Sequence, residues 1–174
     1  MKVLIAEDER DVLDAYRVAL AAAGHDAVLT ENGEECIDAY RRSLELVRSS
    51  GSKRGAPFDA VLLDYRMPKK DGLEVAKEIL ALCSDQRIIF ASAHVKETLL
   101  DSVKQLNRVV ELLQKPFRIK ALLDTLEDRE IYEGLKALNV KIDQLKDLNP
   151  SHTQISELLE GLRKLQKGRT FYQV

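Results

Sequence analysis

The feature that most constrains the fold is an alternation of short apolar runs with longer amphipathic segments over roughly the first 125 residues. The apolar runs are short and rich in Val, Ile, Leu and Phe, which predicts five strands at 2–6, 27–29, 58–63, 87–91 and 109–113. The segments between them carry apolar residues at helical spacing, which predicts helices at 11–23, 33–47, 73–82, 96–106 and from about 118 onward. Strands that alternate with helices in this way are typical of a doubly wound α/β fold with a parallel sheet.

The C-terminal part of the chain has a different pattern, in which apolar residues recur at spacings of three and four. The first stripe has the heptad spacing of a coiled coil and comprises Ile131, Leu135, Leu138, Ile142 and Leu145. Asn149–Pro150 interrupts it, and a second stripe follows at Ile155, Leu158, Leu162 and Leu165. We therefore predict a first domain at 1–127 and a helical hairpin extension at 128–174, for dimerisation or partner binding.

The composition excludes several classes of protein. The formal net charge is −2, from 27 Lys and Arg against 29 Asp and Glu, so no overall charge draws the chain to nucleic acid or to a membrane surface. No run approaches the roughly 18 apolar residues of a membrane span. Cys36 and Cys83 lie far apart, without the spacing of a metal site, and their scarcity is typical of the reducing cytoplasm.

Polar residues that could take part in binding or catalysis follow four of the five predicted strands. Glu7 and Asp8 follow the first, Asp64 the third, Ser92 the fourth and Lys115 the fifth. Ligands of an open parallel sheet bind where the carboxyl ends of the strands emerge, so we expect these side chains to lie close together. Three carboxylates held close together repel one another, so we expect a cation to bind between them. A set of oxygen ligands is typical of Mg²⁺ sites.

At these positions the chain resembles the receiver domains of two-component response regulators. The matching stretches are VLIAEDE at the start, NGEE at 32–35, FDAVLLDYRMPKKDG at 58–72, FASA at 90–93 and QKPF at 114–117. The resemblance covers residues 1 to roughly 125. It implies a flavodoxin-like fold, with a five-stranded parallel sheet in the order 2-1-3-4-5.

The resemblance also implies a metal site and a phosphorylation site. Asp64 would be the phosphoacceptor and would share Mg²⁺ with Asp8, which binds it directly, and with Glu7, which binds it through water. The backbone carbonyl of Arg66 would be a further ligand of the metal.

Three further positions have roles that the resemblance implies. Ser92 would hydrogen-bond the phosphoryl group, Lys115 would pair with it, and the Lys115–Pro116 peptide would be cis. Many receivers have an aromatic switch residue three positions before the lysine, whereas this chain has Leu112. The coupling between Ser92 and an aromatic side chain is therefore in doubt here.

These features predict a cytoplasmic response regulator that takes a phosphoryl group from a sensor histidine kinase and catalyses only its own phosphorylation and dephosphorylation. The alternative is a receiver-like module that binds partners without phosphorylation. A phosphatase of the haloacid dehalogenase type is disfavoured, because Arg66 stands where that class needs a second aspartate.

The predicted output is protein–protein interaction, with the tail forming a homodimer or, alternatively, packing on its own domain. DNA binding is not expected, because from Arg118 on the chain has ten Lys and Arg against nine Asp and Glu, whereas a DNA-reading helix is clearly basic.

Overall fold

Five strands and four helices are formed by the residues that this computed structural model describes, which are 1–51, 55–93, 106, 110–128 and 133. The strands are β1 (Lys2–Ala6), β2 (Asp26–Thr30), β3 (Ala60–Asp64), β4 (Ile88–Ser92) and β5 (Glu111–Gln114). The helices are α1 (Arg10–Ala22), α2 (Gly33–Ser49), α3 (Gly72–Leu82) and α4 (Ile119–Glu127).

The strands form one parallel sheet in the order β2-β1-β3-β4-β5, as predicted. Ile5 of β1 lies opposite Leu29 of β2 on one side and Leu62 of β3 on the other. Phe90 of β4 lies opposite Leu63 of β3 and Leu112 of β5. All strands therefore end at the same edge, where the polar residues identified in the sequence are found.

Helices cover both faces of the sheet. Successive residues of each strand point to opposite sides, so the apolar strands present side chains on both faces that the helices bury. One face packs against α1 and α4 through a cluster that includes Val3, Ile5, Leu62, Ile89, Leu13, Leu20, Leu122 and Leu126. The other face carries buried residues such as Leu4, Leu63 and Phe90, and α2 and α3 contact each other over it. This double coverage explains why the strands read as continuous apolar runs.

Local sequence signals determine where several helices begin and end. Gly24 adopts a positive φ of 74° just after α1, and a glycine in this conformation commonly ends a helix. Asp71 and Glu74 form a capping box at the start of α3, and the Asn32 side chain caps α2 by accepting from the Glu35 backbone N–H.

The predicted end of α2 is wrong by two residues. The helix continues to Ser49, whereas the sequence predicted that it ends at Val47. The Ser49 and Ser50 hydroxyls donate to the carbonyl oxygens of Glu45 and Val47 and satisfy the last turn of the helix. The same groups that favour a loop in sequence therefore support a helix end here.

A buried arginine joins three elements at the opposite edge of the sheet. The Arg87 side chain is only 4% exposed and forms a two-pronged ion pair with Glu111, at 2.7 and 2.8 Å. It also donates to the carbonyl oxygens of Leu126 at 2.9 Å and Thr125 at 2.5 Å, in the last turn of α4. The guanidinium thus links the amino ends of β4 and β5 to the carboxyl end of α4.

Several predictions lie outside the described residues. These are the helix at 96–106, apart from Leu106, and the apolar stripes and hairpin of the extension at 128–174. Among the described residues, no helix is long and apolar enough to cross a membrane. Cys36 is a buried free thiol and Cys83 a half-buried one.

Substitution of Arg87 with Met should lower the free energy of unfolding by about 3 kcal/mol, because it breaks a buried ion pair with Glu111 and removes the hydrogen bonds to two helix carbonyls. Urea unfolding followed by circular dichroism measures this change. The matched control is Arg17→Met, which removes an exposed ion pair with Asp14 and should leave the unfolding midpoint almost unchanged. Equal effects of the two substitutions would contradict this account of Arg87.

Candidate functional site

Three carboxylates meet at the carboxyl edge of the sheet. Glu7 and Asp8 follow β1, Asp64 is the last residue of β3, and one oxygen of each lies within 4.8 Å of the others. Glu7 is 1% exposed and Asp64 9%, whereas Asp8 is exposed. Two of the three negative charges are therefore held largely away from water, with the third at the mouth of the site.

The Lys115 ammonium lies between two of these carboxylates. Its Nζ donates to Glu7 Oε2 at 2.6 Å and to Asp64 Oδ2 at 2.8 Å. The lysine follows β5, and its backbone N–H donates to the carbonyl oxygen of Ser92 at 2.8 Å. The Lys115–Pro116 peptide is cis, as the family resemblance implied.

The backbone around Asp64 is held closely. The backbone N–H of Arg66 donates to Asp64 Oδ1 at 3.2 Å. A Cβ on Gly72 would lie 2.3 Å from the Asp64 carbonyl oxygen, so only glycine allows α3 to start this close to the end of β3. Each carboxylate oxygen of Asp64 thus has a donor, one from the backbone and one from Lys115.

Burial and charge perturb both members of the Glu7–Lys115 pair. Burial, with the nearby Asp64 charge, raises the pKa of the Glu7 carboxyl to about 7, although the ion pair with Lys115 opposes this. Burial alone would lower the pKa of the Lys115 ammonium. The hydrogen bonds to Asp64 and Glu7, together with their charges, outweigh burial and raise it. Lys115 is therefore a permanent cation at this site.

The remaining predicted residues lie around this centre. Ser92 is buried at the end of β4, next to the Lys115 backbone. The Arg66 side chain is exposed, and the contact with Asp64 is made by its backbone. Leu112 is half-buried in β5, three residues before Lys115.

The donor set fits a small divalent cation. Glu7 Oε1 is buried and, in the part of the chain described, is the one buried side-chain oxygen or nitrogen without a hydrogen-bond partner. A buried carboxylate oxygen without a partner is costly, and a cation would satisfy it. Carboxylate oxygens, with water admitted at the exposed Asp8, are ligands that Mg²⁺ accepts.

One contact in the site was not predicted from the sequence. The water-mediated metal role expected of Glu7 stays a prediction, and the structure adds a direct ion pair between Glu7 and Lys115. The two residues are 108 positions apart and come from strands that are not neighbours, so only the choice of Glu over the shorter Asp hinted at this reach.

Comparison with known proteins identifies the family. The family model of the response regulator receiver domain matches residues 3–127. The chain belongs to this family. Receiver domains are signalling modules of two-component systems and interact with histidine kinases and other proteins.

Curated relatives of this receiver are similar over the same region. The receiver protein CpdR of Brucella abortus is 29% identical over 126 residues, which are 72% of this chain and 93% of CpdR. The response regulator MprA of Mycolicibacterium vanbaalenii is 29% identical over 124 residues, which are 71% of this chain and 47% of MprA. The chain thus spans nearly all of one relative and about half of the other.

Solved structures share the fold of this receiver. One is the receiver domain of the sensor histidine kinase PA1611 from Pseudomonas aeruginosa, with a magnesium ion coordinated in its active site cleft. It is 23% identical to this chain, the TM-score is 0.59, and the match covers 72% of this chain and 93% of that one.

The raised pKa of Glu7 predicts a pH-dependent stability when no metal is bound. The folded protein binds this proton more tightly than the unfolded chain, in which the pKa is 4.5. Glu7 therefore contributes stability that is fully present below about pH 4.5 and is lost as the pH rises through about 7. Urea unfolding in EDTA should show a larger loss of stability between about pH 5 and about pH 8 for the wild type than for Glu7→Gln. Identical losses in the two proteins would show that Glu7 does not titrate in this range.

Proposed function

We propose that this receiver accepts a phosphoryl group on Asp64 from a phosphohistidine of a sensor histidine kinase, in a Mg²⁺-dependent reaction in the cytoplasm. The observation that carries this proposal is the placement of Lys115 Nζ at 2.8 Å from Asp64 Oδ2 and 2.6 Å from Glu7 Oε2. The ammonium lies where negative charge would accumulate during phosphoryl transfer to Asp64.

In the proposed reaction, a carboxylate oxygen of Asp64 attacks phosphorus, so that an O–P bond forms and the P–N bond of the phosphohistidine breaks. The electron pair of that bond stays on the departing imidazole nitrogen. Asp64 is suited to the attack because β3 and the Arg66 backbone N–H fix its carboxylate at the sheet edge.

Lys115 and Ser92 would stabilise the transferred group. Lys115 already contacts the attacking carboxylate, so its charge needs only a short movement to reach a phosphoryl oxygen. Ser92 lies at the end of β4, the strand paired with β3 next to Asp64, and its hydroxyl would donate to another phosphoryl oxygen.

The ligands proposed for Mg²⁺ are Glu7, Asp8, Asp64 and the backbone carbonyl of Arg66. The bound ion would neutralise charge on the acidic cluster and on the phosphoryl oxygens. The partnerless Oε1 of Glu7 and the magnesium ion in the PA1611 receiver domain support this assignment.

The proposed output is protein–protein interaction through the extension at 128–174, with homodimerisation along the heptad stripe. The support comes from the spacing of apolar residues in the sequence, since the stripe lies outside the described residues. No direct contact with nucleic acid is proposed. Because Leu112 replaces the usual aromatic switch, we propose that coupling between Ser92 and the output does not use an aromatic rotation.

Substitution of Asp64 with Asn should abolish labelling by radioactive acetyl phosphate and Mg²⁺, because the amide lacks the nucleophilic carboxylate. The matched control is Asp38→Asn, at an exposed position of α2, which should be labelled at the wild-type rate. Undiminished labelling of Asp64→Asn would exclude Asp64 as the acceptor. A wild type that is never labelled would favour a binding module that works without phosphorylation.

Replacement of Leu138 and Ile142 with Lys should convert a dimer into a monomer, because both positions lie on the heptad stripe. Light scattering coupled to size exclusion measures the mass. The matched control is Ala137→Lys with Gln144→Lys, which adds the same charge outside the stripe and should leave the mass unchanged. The dimer is contradicted if the wild type is monomeric, or if the Leu138/Ile142 variant has the same mass as the wild type.

A further inference from the structure

An aromatic stack joins α1 to the turn that carries Lys115. The rings of Tyr16 and Phe117 have centroids 6.2 Å apart and planes within 4° of parallel. Tyr16 lies in the middle of α1 and Phe117 comes two residues after Lys115. Offset parallel stacking of this kind is a favourable and directional contact between aromatic rings.

The turn after β5 needs such support because its backbone hydrogen bonds to β4 end at Lys115. The Lys115 N–H bonds to the Ser92 carbonyl, and the next residue, Pro116, has no N–H to donate. On the far side, α4 starts at Ile119. Phe117 lies between Lys115 and the start of α4. Its side chain packs against the core cluster that contains Tyr16, and this contact holds the turn in place.

Tyr16 is itself held firmly. It is 4% exposed and belongs to the same buried cluster as Leu13 and Leu20 of α1. The helix begins three residues after Glu7, and its first turn is closed by the Leu13 N–H donating to the Glu9 carbonyl. One short helix therefore follows directly from the acidic pair and also carries the ring that meets the lysine turn.

The charges of Glu7 and Lys115 also influence the Tyr16 hydroxyl. Burial, followed by the negative charge of Glu7, raises the pKa of the Tyr16 hydroxyl, while the positive charge of Lys115 opposes the shift. Tyr16 is therefore neutral at every physiological pH and close enough to feel both members of the Glu7–Lys115 pair.

From this geometry we propose that Tyr16 is a positioning residue for Lys115. Its ring fixes Phe117, and through the turn it sets where the ammonium lies relative to Glu7 and Asp64. This inference rests on the proposed phosphorylation of Asp64. The role belongs to the ring and not to the hydroxyl, so phenylalanine at position 16 should preserve it and leucine should not.

The test is a double-mutant cycle on the rate of labelling by acetyl phosphate, across a range of Mg²⁺ concentrations. Tyr16→Leu should lower the maximal rate about tenfold or more, since small displacements of a charged group are costly in catalysis. The Mg²⁺ concentration needed for half the maximal rate should stay unchanged, because the acidic residues are not displaced. Tyr16→Phe should remain within about twofold of the wild type.

The deciding comparison is made in the Lys115→Ala background. There, Tyr16→Leu should have little further effect, because the group that it positions is gone. A loss in this background as large as in the wild type would mean that Tyr16 acts only on the packing of the core, and it would overturn the proposal. Wild-type rates in Tyr16→Leu would overturn it equally.

Urea unfolding of every variant shows whether each protein is folded under the assay conditions. If Tyr16→Leu does not fold, Phe117→Leu takes its place in the same cycle and removes the stack from the other side, with the same expected rates. A wild type that is not labelled would overturn the proposed function and this inference together. A labelled wild type with no dependence on the stack would overturn the inference alone.

Discussion

The structure depends above all on placing one ammonium group among carboxylates that would otherwise repel one another. Glu7 follows β1 and Asp64 ends the adjacent strand β3, and both residues are largely removed from water. Like charges in that position are unfavourable unless a cation lies between them. Lys115 supplies that cation from the turn after β5, the strand at the edge of the sheet. The arrangement of β1, β3 and β5 therefore also places the positive charge that compensates the repulsion between the two carboxylates.

This compensation is incomplete in a way that suits a reactive site. Lys115 satisfies one oxygen of Glu7 and leaves the other, Oε1, buried without a partner, while Asp8 remains exposed at the mouth. A fully neutralised cluster would have little affinity for a further cation, and one without any lysine would leave the repulsion between its carboxylates uncompensated. Partial neutralisation by Lys115 therefore limits the repulsion within the acidic cluster and still leaves carboxylate oxygens that could bind a cation.

The parallel sheet and the edge where the candidate site lies could be predicted from short-range patterns in the sequence, whereas the strand order came from the resemblance to receiver domains. Apolar runs without alternation identify buried parallel strands, and the residues just after those runs must gather at one edge. The pairing of Glu7 with Lys115 could not be predicted in this way. It depends on how the side chains of Glu7 and Lys115 meet over the ends of the intervening strands β3 and β4, which is a property of the assembled sheet.

The extension of α2 and the role of Arg87 were missed for related reasons. Ser49 and Ser50 favour loops on average, and only their actual bonds to backbone carbonyls show that they end a helix. Arg87 stands before an apolar run and reads as an ordinary polar residue at the start of a strand. Its partners lie 24 to 39 positions away in the chain, and nothing local indicates that its side chain is buried.

The position of Arg87 has a mechanical consequence. β4 and β5 each carry a residue of the candidate site at the carboxyl end, Ser92 and Lys115, and a member of the buried ion pair at the amino end. The same guanidinium binds the final carbonyls of α4. Because both strands share this buried ion pair, a shift of one strand along the other would have to carry the guanidinium and the last turn of α4 with it.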